Sequence, residues 1–199
     1  MASCVVFVCV ANRVRSAFAE FFFLKVLSEK SDRLAREVSA SSAGFIPQKL
    51  KEQLAKAHVS FPEPFFNRPI NELTRAALLE KGIVVPAEWR SKELNREIVK
   101  SADLIITLLP EQSEEIVSFF PEAEGKVFTL REISKWDEYV IFEDYNAPPL
   151  NDNYWHFVEE DPNYVSKLIS AMEESLIRAF PNILQRLEIG DTLERGKHV

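Results

Sequence analysis

Residues 3–10, SCVVFVCV, form an unbroken apolar run, and five residues of polar loop separate Cys9 from Arg15 and a second apolar stretch, SAFAEFFFLKVL at 16–27. Eight Val-rich residues without alternation have the length of a strand buried on both faces, which places them inside a parallel sheet. The second stretch carries charge only at Glu20 and Lys25, so it predicts a largely buried helix. A buried strand that passes through a short loop into a buried helix is the first unit of an α/β fold.

The rest of the chain continues that alternation. Strands are predicted at 36–40, 103–109 (DLIITLL) and 126–130, the first ended by a Ser42-Ala43-Gly44 turn. Helices are predicted at 71–80, stopped by Gly82, at 94–100, at 111–119 and at 161–180, the last opened by Asp161-Pro162. The expected architecture is a single-domain, doubly wound α/β fold. It has a four-stranded, mostly parallel sheet with helices on both faces and a phosphate loop after the first strand. The domain is expected over 1–182, with an insertion at about 46–67 that includes a short amphipathic piece, and a polar C-terminal extension at 183–199.

Composition narrows the function classes. The 46% hydrophobic content of 199 residues supplies a sizeable core. A net charge of −7, spread along the chain, argues against nucleic-acid partners, which need a positive field. No apolar run approaches the length of a membrane span. The two cysteines, Cys4 and Cys9, are five apart on one strand and point to opposite faces, which excludes a disulfide framework and predicts a cytoplasmic protein. His58, His156 and His198 have no ligand spacing, and there is no Gly-rich dinucleotide or Walker pattern. Neither metal nor cofactor is expected. The sequence is silent on oligomeric state.

Chemistry concentrates in the first loop, Cys9-Val10-Ala11-Asn12-Arg13-Val14-Arg15-Ser16. Ligands of open α/β sheets bind beyond the carboxyl ends of the strands. Backbone N–H groups of Val10, Ala11, Asn12, Arg13 and Val14 can form an anion nest there, and the following helix start adds its positive dipole end. That field favours the thiolate of Cys9, the attacking species. The planar guanidinium of Arg15 can hold two phosphate oxygens at once, and the Ser16 hydroxyl can donate to the thiolate.

With these residues in place, the chain resembles the low-molecular-weight protein tyrosine phosphatase family. VFVCVANRVRSAFAE is similar to its opening strand, Cys-x5-Arg-Ser loop and helix. SSAGF at 41–45, LTRAALLEKGI at 73–83, SADLIITLLPEQ at 101–112 and GKVFTL at 125–130 follow in the family's order. Three departures stand in the loop. Ala11 replaces a common glycine, and is strained if that position takes a positive φ. Arg13 replaces an apolar residue, and Val14 replaces a second cysteine, the usual partner for a protective disulfide. A loop-supporting histidine is also missing near Trp89-Arg90-Ser91.

The resemblance implies a phosphomonoesterase that hydrolyses phosphotyrosine or similar aryl phosphates through a phosphocysteine on Cys9. Its partners are a phosphorylated protein or a small aryl phosphate. It also implies an aspartic general acid after the fourth strand. Asp144, in YVIFEDYN, has the family's order with Tyr145 in place of proline. Asp161 has the Asp-Pro dipeptide, but that pair is also a helix start. Asp137 and Asp152 are further candidates. Two other functions compete: a non-catalytic phosphate-binding module, and an arsenate reductase-like redox enzyme, which needs a resolving cysteine that only Cys4 could supply.

Overall fold

The apolar runs of the sequence become the strands of a fully parallel sheet in the computed structural model, which describes residues 2–135, 151 and 153–189. Strand β1 (Ser3–Cys9) lies at its centre, paired with β2 (Val38–Gly44) on one side and β3 (Leu104–Thr107) on the other. Strand β4 (Val127–Thr129) pairs with β3, giving the order β2-β1-β3-β4. The central position explains the composition of β1, since Val5, Val6, Phe7 and Val8 are fully buried.

Alternate residues of β1 enter two separate cores. Val5, Phe7 and Cys9 face the core built with α1 (Arg15–Lys30), α4 (Glu72–Glu80), α7 (Leu130–Ser134) and α9 (Pro162–Arg186). Val6 and Val8 face the core built with α5 (Arg96–Ser101) and α6 (Pro110–Phe119), with Cys4 at its margin. The two cysteines thus lie on opposite faces, as the strand period requires. Phe18, Phe22 and Phe23 of α1 supply much of the first core, and Phe23 packs on Phe7 and Phe180.

Two predicted boundaries move. The strand expected at 36–40 runs over Val38–Gly44, so Ser42, Ala43 and Gly44 are ladder residues rather than a turn. Residues 36 and 37 instead close a short helix, α2 (Asp32–Glu37), capped by the Ser31 side chain. Small polar residues pattern like a turn, but pairing with the central strand overrides their propensity. Helix α9 continues six residues beyond Phe180, with Ile183 and Leu184 buried, so an extension beginning at 183 would cut into the core. Gly82 does end α4, at φ +74°, with the Ile83 N–H bonded back to the Leu78 carbonyl at 2.9 Å.

The segment after β2 contains α3 (Gln48–Lys56), then an aromatic stretch ending at Phe66. It packs against α8 (Tyr154–Glu160), a helix absent from those predicted above. Trp155 donates its indole N–H to the Ser60 carbonyl at 2.8 Å, and its ring lies 5.4 Å from Phe61 and 5.3 Å from Phe65.

Candidate active site

The loop 10–14 lies at the carboxyl end of β1, and α1 begins at Arg15 with Val14 in the cap position and no side-chain cap. The first amides of α1 therefore keep their donors for an anion. Cys9, at the strand end, is only 3% exposed.

One residue shapes the loop. Asn12 is fully buried and takes φ +56°, a left-handed conformation that asparagine tolerates better than most side chains. Its amide donates to the Ser16 hydroxyl at 3.0 Å and the Ser42 hydroxyl at 2.7 Å, and its carbonyl accepts the Lys92 N–H at 2.9 Å. Ala11 is not among the positive-φ residues, so an alanine there carries none of the strain that glycine would relieve. Where the loop-supporting histidine is missing near 89–91, the Lys92 backbone N–H supports Asn12.

Ser16 meets the nucleophile. Its Oγ lies 3.0 Å from Cys9 Sγ and 3.4 Å from the Ala43 carbonyl. Because Asn12 already donates into this hydroxyl oxygen, the hydroxyl hydrogen remains for the sulfur, the nearer of the two acceptors. The chain of bonds continues through Ser42 to the Glu20 carboxyl, which burial pushes above its usual pKa against the opposing hydrogen bond from Ser42 and the charge of Lys92.

Gly44 closes the floor beside β1. The Phe45 N–H bonds the Cys9 carbonyl at 2.8 Å, and a Cβ on Gly44 would stand 2.6 Å from the Val10 carbonyl oxygen and 2.4 Å from the Phe66 ring. Here glycine is required by close approach rather than by backbone conformation.

Arg15 is half-buried and opens α1. Tyr154, at the start of α8, lies near it: burial pushes the Tyr154 hydroxyl up, and the Arg15 guanidinium opposes that shift. Arg13 is buried, and its side chain turns to the Pro69 carbonyl (Nε to O, 3.0 Å) and to Glu159, so what it can offer an anion is its backbone N–H.

The candidate acids separate. Asp161 accepts the Tyr164 N–H at 2.8 Å as the cap of α9, the helix-start role its Asp-Pro dipeptide implied. Asp144, Asp137 and Asp152 lie outside the described residues. Cys4, on the opposite face of β1, cannot reach Cys9 as a resolving thiol. Among the described residues no group of His, Cys, Asp and Glu side chains is placed to hold a metal ion, and no helix is long and apolar enough to cross a membrane.

A parallel doubly wound sheet, with a Cys-x5-Arg loop running from its central strand into an uncapped helix, defines a cysteine-based, phosphate-handling protein. Comparison with known proteins makes this specific. The model of the low molecular weight phosphotyrosine protein phosphatase family matches residues 4–146, and the chain belongs to that family. It is 30% identical over 128 residues to the protein-arginine-phosphatase of Bacillus subtilis (strain 168), covering 64% of this chain and 70% of that one. A YwlE mutant from Bacillus subtilis superposes with TM-score 0.63 at 24% identity, covering 92% of this chain and 99% of that chain. A protein tyrosine phosphatase from Entamoeba histolytica does so with TM-score 0.63 at 18% identity, covering 96% and 98%. At these identities the structural likeness speaks for the fold, while the family match carries cysteine-based phosphatase function with a phosphoenzyme intermediate.

Proposed function

We propose that this chain hydrolyses phosphotyrosine or similar aryl phosphates on proteins, with Cys9 as nucleophile, Arg15 as phosphate clamp and Asp144 as general acid. The observation that carries the reading is the 3.0 Å approach of Ser16 Oγ to Cys9 Sγ beneath a loop held open by Asn12. The Cys9 thiolate attacks phosphorus in line, and the sulfur–phosphorus bond forms as the phosphorus–oxygen bond to the leaving group breaks. Arg15 and the loop amides hold the equatorial oxygens, and the aspartic acid protonates the departing oxygen. The resulting carboxylate then takes a proton from water, which attacks the phosphocysteine, releases inorganic phosphate and restores the thiolate. Asp144 is favoured over Asp161 because it falls within the matched residues 4–146, and because Asp161 is occupied as a helix cap.

An aromatic leaving group suits the surroundings of the loop, where Tyr154 lies near Arg15 and Phe66 lies over Gly44. Phosphoarginine is the second reading, favoured by the relative named as a protein-arginine-phosphatase. Steady-state turnover of matched phosphotyrosine and phosphoarginine peptides, with Cys9→Ser as control, decides between them. A kcat/KM higher for phosphoarginine would reverse the assignment.

A further inference from the structure

The chemistry above leaves one cluster of buried charge without a role. Glu159, near the end of α8, has a side chain only 8% exposed, yet it meets two arginines. Its carboxylate accepts from Arg13 Nη1 and, at 3.1 Å, from Arg68 Nη2. Its backbone carbonyl accepts the Asn71 side-chain amide. Asn71 in turn donates its backbone N–H to the Arg13 carbonyl at 3.1 Å, and Arg13 Nε reaches the Pro69 carbonyl at 3.0 Å. Three stretches distant in sequence are thus tied at one carboxylate: the loop after β1, residues 68–71, and α8.

We propose that Glu159 is a positioning residue of the phosphate loop, holding its outer side through Arg13 and keeping α8 against it. The proposal rests on the reading of residues 9–16 as the phosphate site. Asn12 is fixed from inside by Ser16, Ser42 and Lys92. Arg13, the next residue, is fixed from outside by Pro69, Asn71 and Glu159. Two consecutive residues pinned from opposite sides leave the loop amides little freedom to drift. That matters because transition-state contacts tolerate only small displacements. A buried arginine with its carboxylate removed would seek other acceptors and pull the loop with it. Arg13 therefore shapes the loop through its side chain and through its carbonyl, which accepts the Asn71 N–H.

The test uses wild type, Glu159→Gln, Arg13→Met and the double variant Arg13→Met/Glu159→Met. The readouts are kcat and KM on para-nitrophenyl phosphate, inhibition by inorganic phosphate and by vanadate, and the thermal midpoint. Each single substitution is expected to lower kcat/KM about 10- to 100-fold, mainly in kcat, the size of effect a remote misplacement produces. Vanadate, which adopts the five-coordinate geometry of the transition state, should lose more affinity than phosphate. The double variant should lose clearly less than the product of the two single losses, because the Arg13–Glu159 contact is common to both. It also removes both members of the buried Arg13–Glu159 pair together and leaves only the partly exposed Arg68 without its carboxylate, which covers the case in which a single variant fails to fold. Losses that multiply, or folded variants with unchanged kcat and an unchanged vanadate-to-phosphate ratio, would overturn the proposal even if the thermal midpoint fell. A wild-type protein without turnover on para-nitrophenyl phosphate overturns the phosphatase reading itself, a result distinct from active wild type with indifferent variants.

Discussion

Cys9 Sγ and Ser16 Oγ stand 3.0 Å apart across the loop, with the strand end and the first turn of α1 brought together around a buried Asn12. A hydroxyl that donates to sulfur stabilises the thiolate. Ser16→Ala should therefore slow alkylation of Cys9 by iodoacetate and lower kcat about 10- to 100-fold, as expected for a lost hydrogen bond to a charged group. Cys9→Ser should abolish turnover while retaining vanadate binding. Equal alkylation rates in wild type and Ser16→Ala would show that the hydroxyl hydrogen serves Ala43 instead.

Arg15→Lys keeps the charge but gives up the planar two-point contact. The expected loss in kcat/KM is about 10²–10⁴, the range for a transition-state contact of a few kcal/mol. A change within a few-fold of wild type would mean that the guanidinium does not reach the phosphate.

The two aspartates are separated by leaving group. Asp144→Asn should slow phenyl phosphate far more than para-nitrophenyl phosphate, whose leaving group departs without a proton. Asp161→Ala should instead remove the Tyr164 N–H contact of the α9 cap, costing about 1 kcal/mol of stability with little change in leaving-group dependence. The opposite pattern would transfer the acid role to Asp161.

Gly44→Ala places a methyl group 2.6 Å from the Val10 carbonyl oxygen and 2.4 Å from the Phe66 ring. Phe66 can rotate away, but Val10 O is backbone of the phosphate loop. We expect a destabilisation of about 1–3 kcal/mol in urea unfolding, typical of overpacking, and a fall in kcat as the loop shifts. Wild-type kcat with lowered stability would place the whole accommodation in Phe66.

Glu20 gives a pH signature. Burial raises its pKa above the ordinary 4.5, so the native state holds this proton more tightly than the unfolded chain. Its contribution is complete below the unfolded pKa and is lost as pH rises through the folded one. Glu20→Gln should therefore lose less thermal stability than wild type as pH rises from 4.5 towards neutrality. Parallel curves for the two proteins would assign that slope to other groups.

The sequence by itself determined the central strand, the α/β class and the nucleophile loop. Each depends on local pattern: a continuous apolar run at 3–10, helical composition from Ser16, and cysteine and arginine at fixed spacing between them. Pattern is legible because a strand buried on both faces and a buried helix tolerate almost no other residues. The end of β2 was misread because Ser42-Ala43-Gly44 has turn composition, and only pairing with β1 makes it a strand. The roles of Asn12, Glu20, Ser42 and Glu159 were illegible for a related reason. A buried polar group is defined by its partner, and these partners come from elsewhere in the chain: Ser42 and Lys92 for Asn12, Arg13 and Arg68 for Glu159. Composition marks Arg13 as an anomaly in the loop, but only the packing of α8 and residues 68–71 around it turns that anomaly into a tie. Burial strengthens such contacts by excluding water, and burial is a property of the assembled fold.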